Sequence, residues 1–136
     1  MQITREFSRH QVVPVVFGVA NLAADQADVQ LKDSTGQVEG VSMPFAGVVV
    51  ALSIDTTAAA TAGELTVGVT KGGTEVAATT QTITTATAAT PIFDRDAVPF
   101  AAGDKIGVEI STTAAWDATT ADLSVTVFVA LAVEGI

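Results

Sequence analysis

Asp122-Leu-Ser-Val-Thr-Val-Phe-Val-Ala-Leu-Ala-Val133 is the stretch on which the fold turns. Leu123, Val125, Val127, Val129, Leu131 and Val133 recur every second residue, the period of a β-strand, and fall on one face. The opposite face opens polar with Asp122, Ser124 and Thr126, then turns apolar with Phe128, Ala130 and Ala132. A strand apolar on both faces is covered on both sides. The cover is either another part of the same chain or a neighbouring subunit.

The same period recurs upstream. KIGVEIS (105–111) sets Ile106, Val108 and Ile110 against Lys105, Gly107, Glu109 and Ser111. ELTVGVT (64–70) sets Leu65, Val67 and Val69 against Glu64, Thr66, Gly68 and Thr70. In AGVVVALSID (46–55) strict alternation predicts Ala46, Val48, Val50, Leu52 and Ile54 inward, with Gly47, Val49, Ala51, Ser53 and Asp55 opposite. β-Branched residues favour strand over helix in all three. TKGGTE (70–75) reads as a hairpin through Gly72-Gly73, and FAAGDK (100–105) as a corner with Gly103 and Asp104. Pro14, within QVVPVVFGV (11–19), fits an edge position or a bulge.

Between these segments lie TTAAATA, TTQTITTATAAT and STTAAWDATT, read as strand ends and loops because no helical period appears. NLAADQADVQL (21–31) is the one candidate for a short helical turn, although Val29 and Leu31 equally suit a strand start. Several short strands punctuated by turns predict an all-β sandwich or barrel. The division expected is an N-terminal arm over residues 1–11 and a β domain over 12–136.

The 136 residues suit one domain. Apolar residues make up 49% but aromatics only 5%, so the core must be built mainly from Ala and Val. Small side chains each bury little area, and such a chain gains from a second buried surface. Net charge is −9, which repels nucleic-acid phosphate, so no nucleic-acid partner is expected. Mean hydropathy is positive, yet every apolar run is shorter than the roughly 20 residues that cross a bilayer, so no membrane partner is expected. The start, MQITREFSRHQ, has no apolar h-region, and no secretory leader is expected. There is no cysteine, hence no disulfide or thiolate chemistry.

Catalytic patterns are thin. His10 is the single histidine; Ser8 is near it in sequence, but proximity in an arm carries no triad geometry. One His and no Cys do not make a typical zinc site, and no metal or cofactor is expected. Asp94 and Asp96 bracket Arg95 as a solvated, self-compensating loop. The competing reading, a glycosidase pair, lacks aromatic platforms, with Trp116 the only Trp and no Tyr. A calcium site would lack EF-hand spacing, and KGGT lacks the spacing of a phosphate loop. No enzymatic activity is expected. Arg5, Arg9 and His10 cluster within ten residues, offset only by Glu6. They form either a solvated tail or an arm that docks on an acidic partner.

Taken together, VSMPFAGVVVALSID, TAGELTVGVTKGGTEV, VPFAAGDKIGVEISTTAAW and TTADLSVTVFVALAV resemble tailed-phage virion proteins with a tumour-necrosis-factor/C1q-like jelly roll. The resemblance spans roughly residues 41–133. It implies an antiparallel jelly roll of about eight strands and a homotrimer, found as a decoration or cement protein on the outer capsid of a virion made in the host cytoplasm. The implied partner is the major capsid protein, docked through Arg5, Phe7, Arg9 and His10, with Phe128, Ala130 and Ala132 at the trimer interface. The alternative implied is a fibre-tip module that recognises host glycans through Asp94–Asp96 and Trp116.

Overall fold

Alternation of the kind just described buries one face of each strand, and two such faces must find each other. The computed structural model of the chain describes residues 10–133. Over these, two antiparallel sheets pack face to face as an all-β sandwich. The long strands are β1 (His10–Val19), β5 (Gly47–Thr56), β6 (Leu65–Lys71), β11 (Lys105–Thr112) and β12 (Leu123–Ala132). Short pieces complete the edges: β2 (Val29–Gln30), β3 (Lys32–Asp33), β4 (Val41–Ser42), β7 (Thr74–Glu75), β8 (Gln81–Ile83), β9 (Ala88–Ala89) and β10 (Pro99–Phe100). The first sheet runs β10-β5-β12-β1-β3 with β9 on β5; the second runs β2-β11-β6-β7 with β4 on β11 and β8 on β6. Six of the twelve strands are only two residues long. Edge ladders this short depend on backbone approach rather than side-chain pattern, and they bring the described residues to twelve strands where the resemblance implies about eight.

The core lies between the sheets. Leu65, Val67 and Val69 meet Ile106, Val108 and Ile110 from the second sheet, all buried as the alternation predicts. From the first sheet come Phe17, Leu52, Ile54 and the β12 series Leu123, Val125, Val127, Val129 and Leu131. Thr79 is also fully buried, in the single turn of 3₁₀ helix at Ala77–Thr79. Its hydroxyl accepts from the Val69 amide at 2.8 Å and donates to the Val76 carbonyl at 2.7 Å. Thr79→Val conserves volume but leaves the Val69 N–H without a partner. The expected cost is about 1–3 kcal/mol, read as a lower urea midpoint at unchanged slope; an unchanged midpoint would show the hydroxyl to be dispensable.

The structure corrects one expectation in β5. Phe128 pairs with Ala51 but Val129 pairs with Val49, so Val50 is an extra residue with no opposite number on β12. A bulge of this kind reverses the phase of the strand on one side of it. Leu52 and Ile54 point inward as expected, but Val49 is buried while Val48 and Val50 are only half-buried.

β1 pairs with β12 along its whole length and with β3 only at Phe17 and Gly18. Pro14 thus sits where β1 has no second partner among the described residues, the edge position its missing N–H allows. β1 begins at His10, so His10 and Gln11, expected in the arm, belong to the sheet, opposite Ala132 and Leu131. Residues 21–28 form no helical turn. Asn21, Asp25 and Asp28 adopt left-handed φ angles of 52°, 56° and 47°, conformations that Asn and Asp tolerate better than other side chains.

Candidate functional site

The outer face of the first sheet is where inward and outward alternation leaves apolar residues in solvent. On β1 the core takes Phe17, with Val13 and Val15 packed against it, and the outer face takes Val12, Pro14 and Val16. Val12 is 62% exposed and Val16 41%. Register then builds rows across three strands. Pro14 lies opposite Phe128, which lies opposite Ala51; Val12 lies opposite Ala130, which lies opposite Val48. The bulge adds Val50 to this surface. Toward the other end the rows turn polar: Val16–Thr126–Ser53, then Gly18–Ser124–Asp55. The apolar end continues over the β5 edge to Ile92, bridged to Ala51 and 85% exposed. A recess of about 210 Å³ beside it is lined by Gly47, Val48, Val50, Arg95, Asp96 and Ala130.

The apolar end of this outer face is a contiguous surface of uncharged side chains, bordered by Arg95 and Asp96 at the recess and by Asp55 at the polar end, on a chain whose net charge is −9. Scattered exposed valines need no explanation, whereas a connected patch spanning three strands marks an interaction surface. Of the three residues expected there, Phe128 and Ala132 are half-buried by their own chain and Ala130 is nearly covered, at 9%. The larger share of exposed area comes from Val12, Val16 and Ile92. QVVPVVFGV is apolar at nearly every position, so its sequence could not say which valines face outward.

The other candidates resolve differently. Arg5, Phe7 and Arg9 lie outside the described residues, and His10 is located only as the first residue of β1. Trp116 is buried, at 3%, with its indole N–H donating to the Leu22 carbonyl at 3.2 Å. It closes one end of the sandwich and offers no exposed platform to a sugar, which removes the aromatic half of the glycan-binding alternative. Its neighbour Asp117 accepts from the Thr61 hydroxyl and, at 2.9 Å, from the Thr61 amide. These bonds, the hydroxyl's first, hold the carboxyl below the usual carboxylate range. Asp94, Arg95 and Asp96 stand exposed on a loop, with the Ala97 amide donating to the Asp94 carbonyl at 3.0 Å.

At the Gly103–Asp104 corner, the Asp104 carboxylate accepts from the Ala101 amide at 2.8 Å, while the Asp104 amide donates to the Ala101 carbonyl at 3.1 Å. That carboxylate shapes a turn. Among the described residues no group of three or more His, Cys, Asp or Glu side chains is arranged to hold a metal ion. No protein-family model matches the sequence, and no curated protein matches it.

Proposed function

We propose that the chain is a structural virion protein: a homotrimeric jelly-roll decoration, or cement, protein that binds the outer surface of a phage's major capsid protein lattice. The observation that carries this reading is the apolar end of the outer face of β1, β12 and β5, on a chain acidic overall. The strand order β10-β5-β12-β1-β3 over β2-β11-β6 is compatible with a jelly roll, and the four sequence segments that resemble phage virion proteins support it.

The face is asymmetric, with an apolar end, a polar end and the Ile92 edge to one side. Two unlike patches that meet head to tail close into a ring, and three-fold closure is the smallest ring beyond a dimer. A seam shared by three chains also compensates for a core poor in aromatics. β1 starts beside Ala132 at the apolar end, so a three-fold assembly brings the starts of its three β1 strands to one end of the trimer. The mechanism is linkage: a protein that binds only the assembled lattice stabilises that lattice by mass action. The reading assigns the chain no catalysis and no cofactor.

The test is truncation. Because His10 and Gln11 are paired in β1, the cut belongs after residue 9. Removal of residues 1–9 is expected to leave the oligomer intact and weaken capsid binding at least about tenfold, the equivalent of about 1.4 kcal/mol. Undiminished occupancy would remove the arm from the mechanism. Copy number separates this reading from a fibre tip, since a lattice carries on the order of hundreds of copies and a fibre only a handful.

A further inference from the structure

The second sheet's outer face is polar, and one arrangement on it has no part in the assembly just proposed. Glu109 on β11 pairs across the ladder with Gly68 on β6, and Glu75 on β7 pairs with Thr70 on the other side of β6. A Cβ at Gly68 would collide with the Glu75 carboxylate. The glycine is therefore the space through which Glu75 leans across β6 toward Glu109. Each carboxyl has one neutral donor: the Thr80 hydroxyl reaches Glu75 Oε1 at 2.7 Å, and the Gln30 amide reaches Glu109 Oε2 at 3.2 Å. Gln30 is itself held by the Thr70 hydroxyl at 3.2 Å.

We propose that Glu75 and Glu109 form a proton-sharing pair that latches β7 onto the second sheet in mild acid and releases it as Glu109 ionises. The segment being latched is weakly tied. β7 pairs with β6 only through Thr70–Glu75 and Lys71–Thr74, and it follows Gly72 and Gly73, whose positive φ angles of 62° and 85° form an open turn. The Val76 amide bond to the Val69 carbonyl, 2.8 Å, is the next tie along the chain.

The charges around the pair favour sharing. Just before β2, Asp28 adds a negative charge, held by its bonds with Ser111. Glu39 borders a neighbouring recess that also takes Gln30, Thr70 and Lys105. Lys105, on the same face of β11 as Glu109, is four residues away, roughly 13 Å along an extended strand. Lys71 ends β6 on the exposed side. The remaining outer-face residues of β6, Thr66 and Gly68, and those of β8 and the 3₁₀ turn carry no charge. Burial, then the charges of Glu75 and Asp28, raise the Glu109 carboxyl above its ordinary 4.5.

A group raised in the folded state contributes stability below its unfolded value and loses it as pH rises through the folded one. The latch thus weakens upward from about pH 4.5. Asp33 and Asp117, both lowered by hydroxyl bonds from Thr35 and Thr61, act in the opposite sense and in a separate window, with their stabilisation complete above 3.8.

The test is hydrogen exchange at the Val76 amide in the full chain, expressed as a protection factor from about pH 4.5 to about pH 8. Protection is expected to fall about two- to fivefold over that range, the effect of placing like charges side by side on a sheet. In Glu109→Gln and in Glu75→Gln it is expected to stay flat. Glu39→Gln removes the same unit of charge outside the pair and is expected to keep the parent profile, which separates the latch from general repulsion in an acidic chain. A pH-independent parent, a Glu109→Gln chain that keeps the parent's slope, or a Glu39→Gln chain as flat as Glu109→Gln would each overturn the proposal.

Discussion

A chain carrying Val12→Asp is expected to run as a folded monomer where the unmodified chain runs as a trimer. Val12 is 62% exposed in the single chain, so the substitution adds a solvated carboxylate and leaves the sandwich core untouched. In the proposed assembly the same position is sealed, next to Pro14 on the outer face of its own strand and opposite Ala130. A carboxylate buried there finds no cation in its own row, Val12–Ala130–Val48, although Arg95 lines the recess that Val48 and Ala130 also line. Desolvation without a partner costs several kcal/mol, and about 4 kcal/mol is a factor of roughly a thousand in affinity. Sedimentation or native mass reads the oligomer, and circular dichroism reads the fold. Val38→Asp is the control, since Val38 is 43% exposed but lies in the loop after β3, away from this face; it should remain trimeric. If the parent chain is a stable monomer at about 10 µM, an assembly held tighter than micromolar is absent and the trimer loses its support. A Val12→Asp chain that stays trimeric moves the seam elsewhere.

The largest loss of stability is expected from Trp116→Ala. Trp116 is the only tryptophan in a chain with 5% aromatic residues, and it is 97% removed from solvent, being 3% exposed. It sits where the chain after β1, the loop before β6 and the loop after β11 meet. Its indole bonds to Leu22, and its own amide donates to the Thr113 carbonyl at 3.1 Å. Gly63 passes so close that a Cβ there would collide with the Trp116 backbone, and its φ of 84° suits glycine. Little can collapse into the space an alanine would leave. The expected loss is about 3–5 kcal/mol, or a melting temperature lower by about 10 °C or more. Trp116→Phe retains most of the volume and isolates the hydrogen bond, at about 1 kcal/mol. An unchanged melting temperature for Trp116→Ala, coupled to lost glycan binding, would instead make Trp116 a recognition residue and revive the fibre-tip alternative.

The long strands show how far alternation alone carries. β6, β11 and β12 themselves keep period two along their length, and every inward residue from Leu65 to Val69, Ile106 to Ile110 and Leu123 to Leu131 could be named from it. Gly72-Gly73 and Gly103-Asp104 were legible as turns for a local reason, because their backbone angles and short hydrogen bonds are made within a few residues. β5 was legible only in part. Its bulge is a relation between Val50 and a partner strand about eighty residues away, and no pattern within AGVVVALSID contains that relation. The apolar second face of β12 was visible in Phe128, Ala130 and Ala132, but its extension over Val12, Val16 and Val48 was not.

What the sequence determined by itself was the class of fold and the inward face of the regular strands, because side-chain direction along a strand is a local property of the backbone. The tertiary structure alone decided which valines of β1 meet water and where β5 changes phase. It also decided that Glu75 and Glu109, distant in sequence, share the space above Gly68. Each of these depends on which strand lies beside which and in what register, and pairing between remote segments is set by the packing of the whole chain.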